Sequence, residues 1–121
     1  MIVIASDHGG FELKQAIGAW LKENHYDFID CGTDSTESVD YPVYAKLAAQ
    51  KILSGECNCG IICCGTGIGI GIAANRFKGI RAAHCESVCS AEMARRHNNA
   101  NIICLGGRTN TFEQAVEMIK V

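Results

Sequence analysis

The segment from Cys63 to Gly71 reads Cys-Cys-Gly-Thr-Gly-Ile-Gly-Ile-Gly and combines a thiol, a hydroxyl and alternating glycines. An apolar run precedes it and a small-residue helical segment follows, which is the order of strand, glycine loop and helix start. Glycines let successive backbone N–H groups turn toward one point and form an anion cradle. Cys64 and Thr66 lie at the lip of this cradle. A base or nucleophile beside an oxyanion site favours catalysis over simple binding.

Only one of the two adjacent cysteines can face the loop. Side chains alternate along a strand, so Cys63 and Cys64 are predicted to point to opposite faces. Cys64 adjoins the helix N-terminus, where a thiolate is favoured, and Cys63 is expected in the core.

Two other interpretations of the glycine loop stay open. Gly69 to Ala74 fits the dinucleotide pattern G-x-G-x-x-A, although that pattern belongs after a first strand, and the loop could be a tight turn selected only for packing.

Apolar runs and amphipathic segments alternate along the chain. Strands are predicted at residues 2–6, 26–31, 60–64, 80–84 and 101–105. Helices are predicted at residues 11–24, 42–53, from the glycine loop to 77, 87–97, and from 112 onward, with Ser87 and Thr111 as N-caps. The strands are almost continuously apolar, which is typical of a buried parallel sheet. The sequence therefore predicts a doubly wound, Rossmann-like α/β fold of five parallel strands with helices on both faces, as one domain over residues 1–121.

Ligands of such folds bind at the carboxyl ends of the strands. The candidates there are Asp7-His8-Gly9-Gly10, the loop of residues 32–41, the glycine loop, Cys85-Glu86 and Gly106-Gly107-Arg108. Each has a simpler alternative: Asp7 could cap a helix, and Arg108 could be a surface arginine. His97, at a helix C-terminus, could be only a partner of the helix dipole. His25 and His84 have no motif context and are interpreted as structural.

Eight cysteines in 121 residues are many. Most lie in or beside apolar runs, so reduced thiols that pack as small hydrophobes are favoured. A disulfide scaffold and a zinc site are the alternatives. The spacing Cys57-Asn58-Cys59 and the adjacent Cys63-Cys64 do not form the C-x-x-C pattern of zinc knuckles. No metal is predicted.

The bulk properties exclude some functions. A net charge of −2 gives no electrostatic basis for binding nucleic acid or an anionic membrane. No run approaches the roughly 18 apolar residues of a membrane span, and the first residues lack the features of a signal peptide. A cytoplasmic location is predicted.

Several motifs together resemble the type B ribose-5-phosphate isomerases, within a wider group of sugar-phosphate isomerases. They are Ser6-Asp7-His8-Gly9-Gly10-Phe11, Asp40-Tyr41-Pro42, Cys64-Gly65-Thr66-Gly67-Ile68-Gly69, Ala73-Ala74-Asn75 and His97-Asn98. The similarity spans essentially the whole chain in order and spacing. It is specific in combination, although no single motif is.

The resemblance implies an aldose–ketose isomerase that converts ribose 5-phosphate into ribulose 5-phosphate through a cis-enediolate. It implies that Cys64 is the base, that Thr66 and the amides of Gly65, Gly67, Ile68 and Gly69 stabilise the enediolate, and that His97, supplied by a partner subunit, opens the sugar ring. Asp7, His8, Tyr41, Asn98 and Arg108 match substrate-binding positions. A homodimer or tetramer with an interface site is implied, with no metal or other cofactor.

One departure from the family concerns the phosphate. Members commonly continue with a helical segment whose arginines bind it, and this chain ends at Val121. A natural short form, a truncated chain and a differently built phosphate site all stay open, with Arg81 and Arg108 as substitutes. Two rival functions follow: isomerisation of a six-carbon or unphosphorylated sugar, and a non-catalytic sugar-phosphate-binding module.

Overall fold

Strands and helices alternate from the first residue to the last in the computed structural model, which describes residues 1–121. The strands are β1 (Ile2–Ser6), β2 (Phe28–Asp30), β3 (Cys59–Cys64), β4 (Ala82–His84) and β5 (Ile102–Gly106). The helices are α1 (Phe11–Glu23), α2 (Tyr41–Leu53), α3 (Ile68–Ala74), α4 (Val88–Asn98) and α5 (Phe112–Lys120), and a short 3-10 turn, His8–Gly10, precedes α1.

The five strands form one sheet in the order β2-β1-β3-β5-β4, and every neighbouring pair is parallel. This confirms the doubly wound parallel sheet expected from the sequence. After β1 the chain moves outward to β2 and then crosses to the other side of β1 for β3. The carboxyl ends of β1 and β3 therefore flank the switch point of the sheet, where α/β folds bind ligands.

Apolar side chains fill both faces of the sheet. One core lies under α2 and α3 and contains Cys64, Ile70 and Cys104. The other lies against α1 and α5 and contains Cys63, Ile17 and Met118. The predicted alternation of Cys63 and Cys64 between the two faces is confirmed.

The second and fourth strands begin later than expected, because local hydrogen bonds replace strand pairing at their first residues. The second strand was expected from Tyr26, but His25 adopts φ 63° and the Tyr26 amide donates to the Leu21 carbonyl, so both residues close α1. The fourth strand was expected from residue 80 and begins at Ala82. The Asn75 side chain bonds both the N–H and the carbonyl of Ala82, which ties the end of α3 to the start of β4.

Both predicted N-caps are confirmed. Ser87 accepts from the Ser90 amide at 3.1 Å and Thr111 accepts from the Gln114 amide at 3.1 Å, and each is part of a reciprocal capping box. These caps fix the starts of α4 and α5 at the carboxyl edge of the sheet. None of the five helices has the length and apolar character needed to cross a bilayer.

Candidate active site at the carboxyl edge of the sheet

The loops after β1, β3 and β5 touch one another. A β-carbon placed on Gly9 would lie 2.9 Å from the Gly65 nitrogen, so the two backbones are in direct contact. The amide of Gly107 donates to the Cys64 carbonyl at 2.8 Å, and the amide of Arg108 donates to the Gly65 carbonyl at 2.9 Å. Three segments that the sequence placed at strand ends therefore form one surface around the end of β3.

Cys64, the last residue of β3, lies at the centre of this surface and is 4% exposed. Its Sγ accepts a hydrogen bond from the Gly67 amide at 3.1 Å. Gly67 has φ +81°, and a β-carbon there would lie 2.8 Å from the Leu105 carbonyl carbon. Only glycine fits this position, because the loop must turn back tightly to aim its amide at the sulfur. A donor thus lies on the atom that would carry the charge of a thiolate.

Two other buried thiols, Cys63 and Cys104, have no exposed surface. Burial raises the pKa of Cys63 and of Cys104 far above the ordinary value for a thiol. Both are packed in the cores, so they stay protonated and out of reach. All eight cysteines are free and five are buried, as expected for reduced packing thiols. Nowhere in the chain do three His, Cys, Asp or Glu side chains gather closely enough to hold a metal ion.

The glycine loop holds unused hydrogen-bond donors. The Gly67 amide is engaged by the Cys64 sulfur, and the Ile68 amide donates to Thr66 Oγ1 at 3.2 Å. The amides of Gly65, Thr66 and Gly69 donate to no atom of the chain. These three amides therefore have no partner within the chain, and the exposed side chain of Thr66 lies in the same loop.

Asp7 and His8 lie on the β1 side of Cys64. Asp7 is 7% exposed, and its Oδ1 accepts from the amides of Gly9 at 2.8 Å and Gly10 at 3.1 Å. The capping role considered for Asp7 is therefore real, and it uses one carboxylate oxygen and leaves Oδ2 free. His8 Nδ1 lies 3.1 Å from the Val39 nitrogen and 3.2 Å from its oxygen, and the ring tautomer decides which bond forms. His8 thus ties the loop of residues 31–40 to the site.

Tyr41 and Arg108 complete the surface. Tyr41 begins α2, and its ring lies about 3 Å from where a β-carbon on Gly69 would stand, so it packs on the first turn of α3. Arg108 Nη1 lies 3.1 Å from the corresponding position on Gly65. The guanidinium therefore covers the glycine loop beside Cys64, where it can meet an anionic group of a ligand.

His97 and Asn98 do not join this site within the chain. They are exposed at the end of α4, which runs from the carboxyl edge of the sheet to the amino edge. The Asn98 carbonyl accepts from Arg81 Nε at 2.7 Å, close to the start of β4. Arg81, considered as a phosphate ligand, therefore lies with His97 and Asn98 at the opposite edge from Cys64.

The sequence analysis did not predict the positions of two residues, His84 and Lys14. The His84 side chain, interpreted as structural, is 28% exposed, and its Cδ2 lies 2.9 Å from a β-carbon position on Gly67, the residue that donates to Cys64. Lys14 is 1% exposed and pairs with Asp30. The available signal for Lys14 was its helical spacing from Ile17 and Leu21, which places a lysine on the apolar face of α1.

Comparisons with known proteins give the family. The sequence profile of the ribose/galactose isomerases matches residues 2–121. The chain is 46% identical to ribose-5-phosphate isomerase B of Escherichia coli over 114 residues, which are 94% of this chain and 76% of that protein. It superposes on the ribose 5-phosphate isomerase of Thermotoga maritima with a TM-score of 0.97 and 51% identity, over 98% of this chain and 82% of the other.

Another solved structure agrees. Ribose-5-phosphate isomerase B of Clostridium thermocellum superposes with a TM-score of 0.97 and 49% identity, over 98% of this chain and 80% of that chain. Fold, loop arrangement and sequence point to one group of proteins. The chain therefore belongs to the ribose/galactose isomerase family, with the type B ribose-5-phosphate isomerases, and is an aldose–ketose isomerase.

Proposed function

We propose that this chain interconverts ribose 5-phosphate and ribulose 5-phosphate through a cis-enediolate, with Cys64 as the proton-transfer base. The observation that carries the proposal is the Cys64 sulfur, held at 3.1 Å by the Gly67 amide beside a loop with unused donors. In the forward direction the Cys64 thiolate takes the proton from C2. The same thiol returns it to C1, so one group on one face of the substrate serves both steps.

Charge develops on the carbonyl oxygen as C2 loses its proton. The free amides of Gly65, Thr66 and Gly69 and the Thr66 hydroxyl lie around the loop and supply donors for that oxygen. Because the amides are fixed by the backbone, they need little reorganisation during the reaction. The proton on the C2 hydroxyl must move to the C1 oxygen, and the Thr66 hydroxyl is the neutral group at the loop that can exchange protons with both.

Substrate binding is assigned to groups around Cys64. The free Oδ2 of Asp7 accepts from a sugar hydroxyl, and His8 and Tyr41 line the β1 and α2 sides. Arg108 binds the phosphate, because its guanidinium presents paired donors to phosphate oxygens. The short distance between Arg108 and Gly65 keeps the phosphate near the glycine loop.

We assign ring opening to His97 of a second copy of the chain, with Asn98 beside it. Two observations support this homodimer. His97 and Asn98 are exposed and lie at the far edge of their own sheet. Beside the site, α2 and α3 expose apolar side chains: Tyr41 (41% exposed), Val43 (54%), Ile68 (49%) and Ile72 (63%). An exposed apolar patch of this kind marks an interaction surface, and two copies of one patch make a closed dimer.

The six-carbon alternative is kept because the family includes galactose as well as ribose isomerases. The deciding experiment measures turnover of ribose 5-phosphate, free ribose and galactose 6-phosphate by the purified protein, with EDTA present. The proposal predicts that kcat/KM for ribose 5-phosphate exceeds those for the other two sugars. Faster turnover of galactose 6-phosphate would replace the five-carbon assignment. Equal turnover of free ribose would remove the role of Arg108 as phosphate ligand.

A further inference from the structure

Lys14 is the most unusual buried group outside the site. It is 1% exposed and is the largest fully buried side chain of the protein. Its position on α1 is apolar in character, since Ile17 and Leu21, three and seven residues further along, are core residues. An ammonium group in such a place is unfavourable unless it is paired and hydrogen-bonded. A lysine kept there calls for a physical explanation.

The pairing of Lys14 is complete. Its Nζ lies 2.8 Å and 2.7 Å from the two carboxylate oxygens of Asp30, and 3.1 Å from Gln15 Oε1. It also stands 5.4 Å from the centre of the Phe11 ring. The ammonium has no free donor aimed at a ligand, so it does not form a binding site of its own. Any effect of Lys14 on the site must therefore pass through Asp30 and the groups that Asp30 binds.

Asp30 is the last residue of β2, and its Oδ1 also accepts from the Gly32 amide at 2.8 Å. The ion pair therefore fixes the turn by which the chain leaves β2. That turn is bonded to the end of β1, because the Ser6 amide donates to the Gly32 carbonyl at 2.7 Å and the Thr33 amide donates to the Ser6 carbonyl at 2.8 Å. Ser6 immediately precedes Asp7.

The far end of the same loop also reaches the site. Val39 is held by His8 Nδ1, and the loop ends at Tyr41, whose ring packs on Gly69. The loop from Cys31 to Asp40 is thus attached at both ends to residues around Cys64. It has no helix or strand of its own, so its path depends on these few attachments.

We propose that Lys14 is a positioning residue for the isomerase site: through Asp30 it fixes the loop of residues 31–40, and thereby sets the positions of Asp7, His8 and Tyr41. Its contribution is to substrate binding and not to proton transfer, because the loop is attached to the binding groups at its two ends, whereas Cys64 is held separately by Gly67. This inference rests on the proposed function for its kinetic test, and it has a second test that needs no substrate.

The variant must remove the pair without leaving a lone buried charge, which would itself be strongly destabilising. The double variant Lys14→Met/Asp30→Asn does this. Methionine keeps most of the length of the buried chain, and the side-chain oxygen of the introduced asparagine can still accept from the Gly32 amide. The matched control is Lys22→Met, because Lys22 is an exposed lysine on the same helix.

For the double variant we expect KM for ribose 5-phosphate to rise about tenfold, with kcat within about threefold of wild type. Lys22→Met keeps both constants. A merely structural role would lower the fraction of active protein, and hence the apparent kcat, at an unchanged KM, and that result would overturn the proposal. An unchanged KM with full kcat would overturn it as well.

Hydrogen exchange supplies the test that does not depend on turnover. The amides of Gly32, Thr33 and Val39 should exchange slowly in wild type and in Lys22→Met, and faster in the double variant, while amides of β3 stay protected. Equal protection of the loop in all three proteins would overturn the positioning role. If wild type fails to isomerise ribose 5-phosphate, the proposed function fails, and the exchange result still decides whether Lys14 orders the loop.

Discussion

Cys63 and Cys64 are neighbours in sequence but lie on opposite faces of the sheet, and only Cys64 accepts a hydrogen bond from the glycine loop. Cys63 is fully buried under the helices of the other face. One residue of register therefore separates a thiol at the glycine loop from one that is packed in the opposite core. This relationship makes the two cysteines controls for each other.

The first prediction concerns thiol reactivity. Iodoacetamide should alkylate Cys64 at least about tenfold faster than Cys63 or Cys104, because burial raises the pKa of both packing thiols and keeps them protonated. Peptide mass spectrometry after timed labelling gives the rates. Ribose 5-phosphate should protect Cys64 and leave the exposed Cys89 unprotected. Equal labelling of Cys63 and Cys64 would contradict the assignment.

The second prediction concerns alkaline pH. A thiol whose pKa is raised by folding stabilises the native state fully below its unfolded pKa of about 8.5, and this contribution is lost as pH rises toward the folded pKa. Cys63 and Cys104 behave in this way. The Tm should therefore fall between about pH 8.5 and 10.5.

The matching variants test the source of that fall. Cys63→Ala should lower Tm at neutral pH, because it leaves a cavity, but should flatten the decline above about pH 9. Cys89→Ala, which changes an exposed thiol, should leave the slope as in wild type. Parallel wild-type and Cys63→Ala profiles would show that the buried thiol is not responsible.

The third prediction concerns Gly67. Gly67→Ala combines a left-handed backbone with a close approach to Leu105, so the loop must move and the amide on the Cys64 sulfur is displaced. Turnover should fall about a hundredfold or more. The control is Gly55→Ala, whose residue has φ +83° but open space around the added carbon. It should cost about 1–2 kcal/mol of stability and leave kcat unchanged. Full activity of Gly67→Ala would contradict the role of the loop.

The fourth prediction concerns the shared site. Cys64→Ala and His97→Ala should each be nearly inactive alone, and co-refolding them in equal amounts should restore about a quarter of wild-type activity, because half the dimers are hybrids with one intact site. Activity of the mixture is the measurement. If co-refolded dimers stay inactive while each variant folds, His97 does not act across the interface.

Much of the site could be predicted from sequence because parallel strands bring their carboxyl ends to one edge. That rule alone predicted that Asp7, Cys64 and Arg108, which are far apart in sequence, lie at the same edge of the sheet. The caps at Ser87 and Thr111 were predictable because a capping residue acts within a few residues of itself. These inferences depend on local pattern and on one general property of the fold.

The missed features depend on distant partners. The contact of His84 with Gly67 requires β4 to lie outside β5 in the sheet. The hydrophobic periodicity of the sequence predicts where strands occur but not their order in the sheet. Burial of Lys14 depends on Asp30, sixteen residues away. Tyr26 was expected in the second strand. His25 instead has a left-handed backbone, and the Tyr26 amide donates to the Leu21 carbonyl at the end of α1.

The most direct test of the central claim is conversion of ribose 5-phosphate to ribulose 5-phosphate, with EDTA present, by wild type, Cys64→Ala and Cys63→Ala. If Cys64 moves the proton between C2 and C1, Cys64→Ala should lose about 10²–10⁴-fold in kcat while staying folded, and Cys63→Ala should keep turnover close to wild type. Turnover by folded Cys64→Ala within about tenfold of wild type would show that another group is the base.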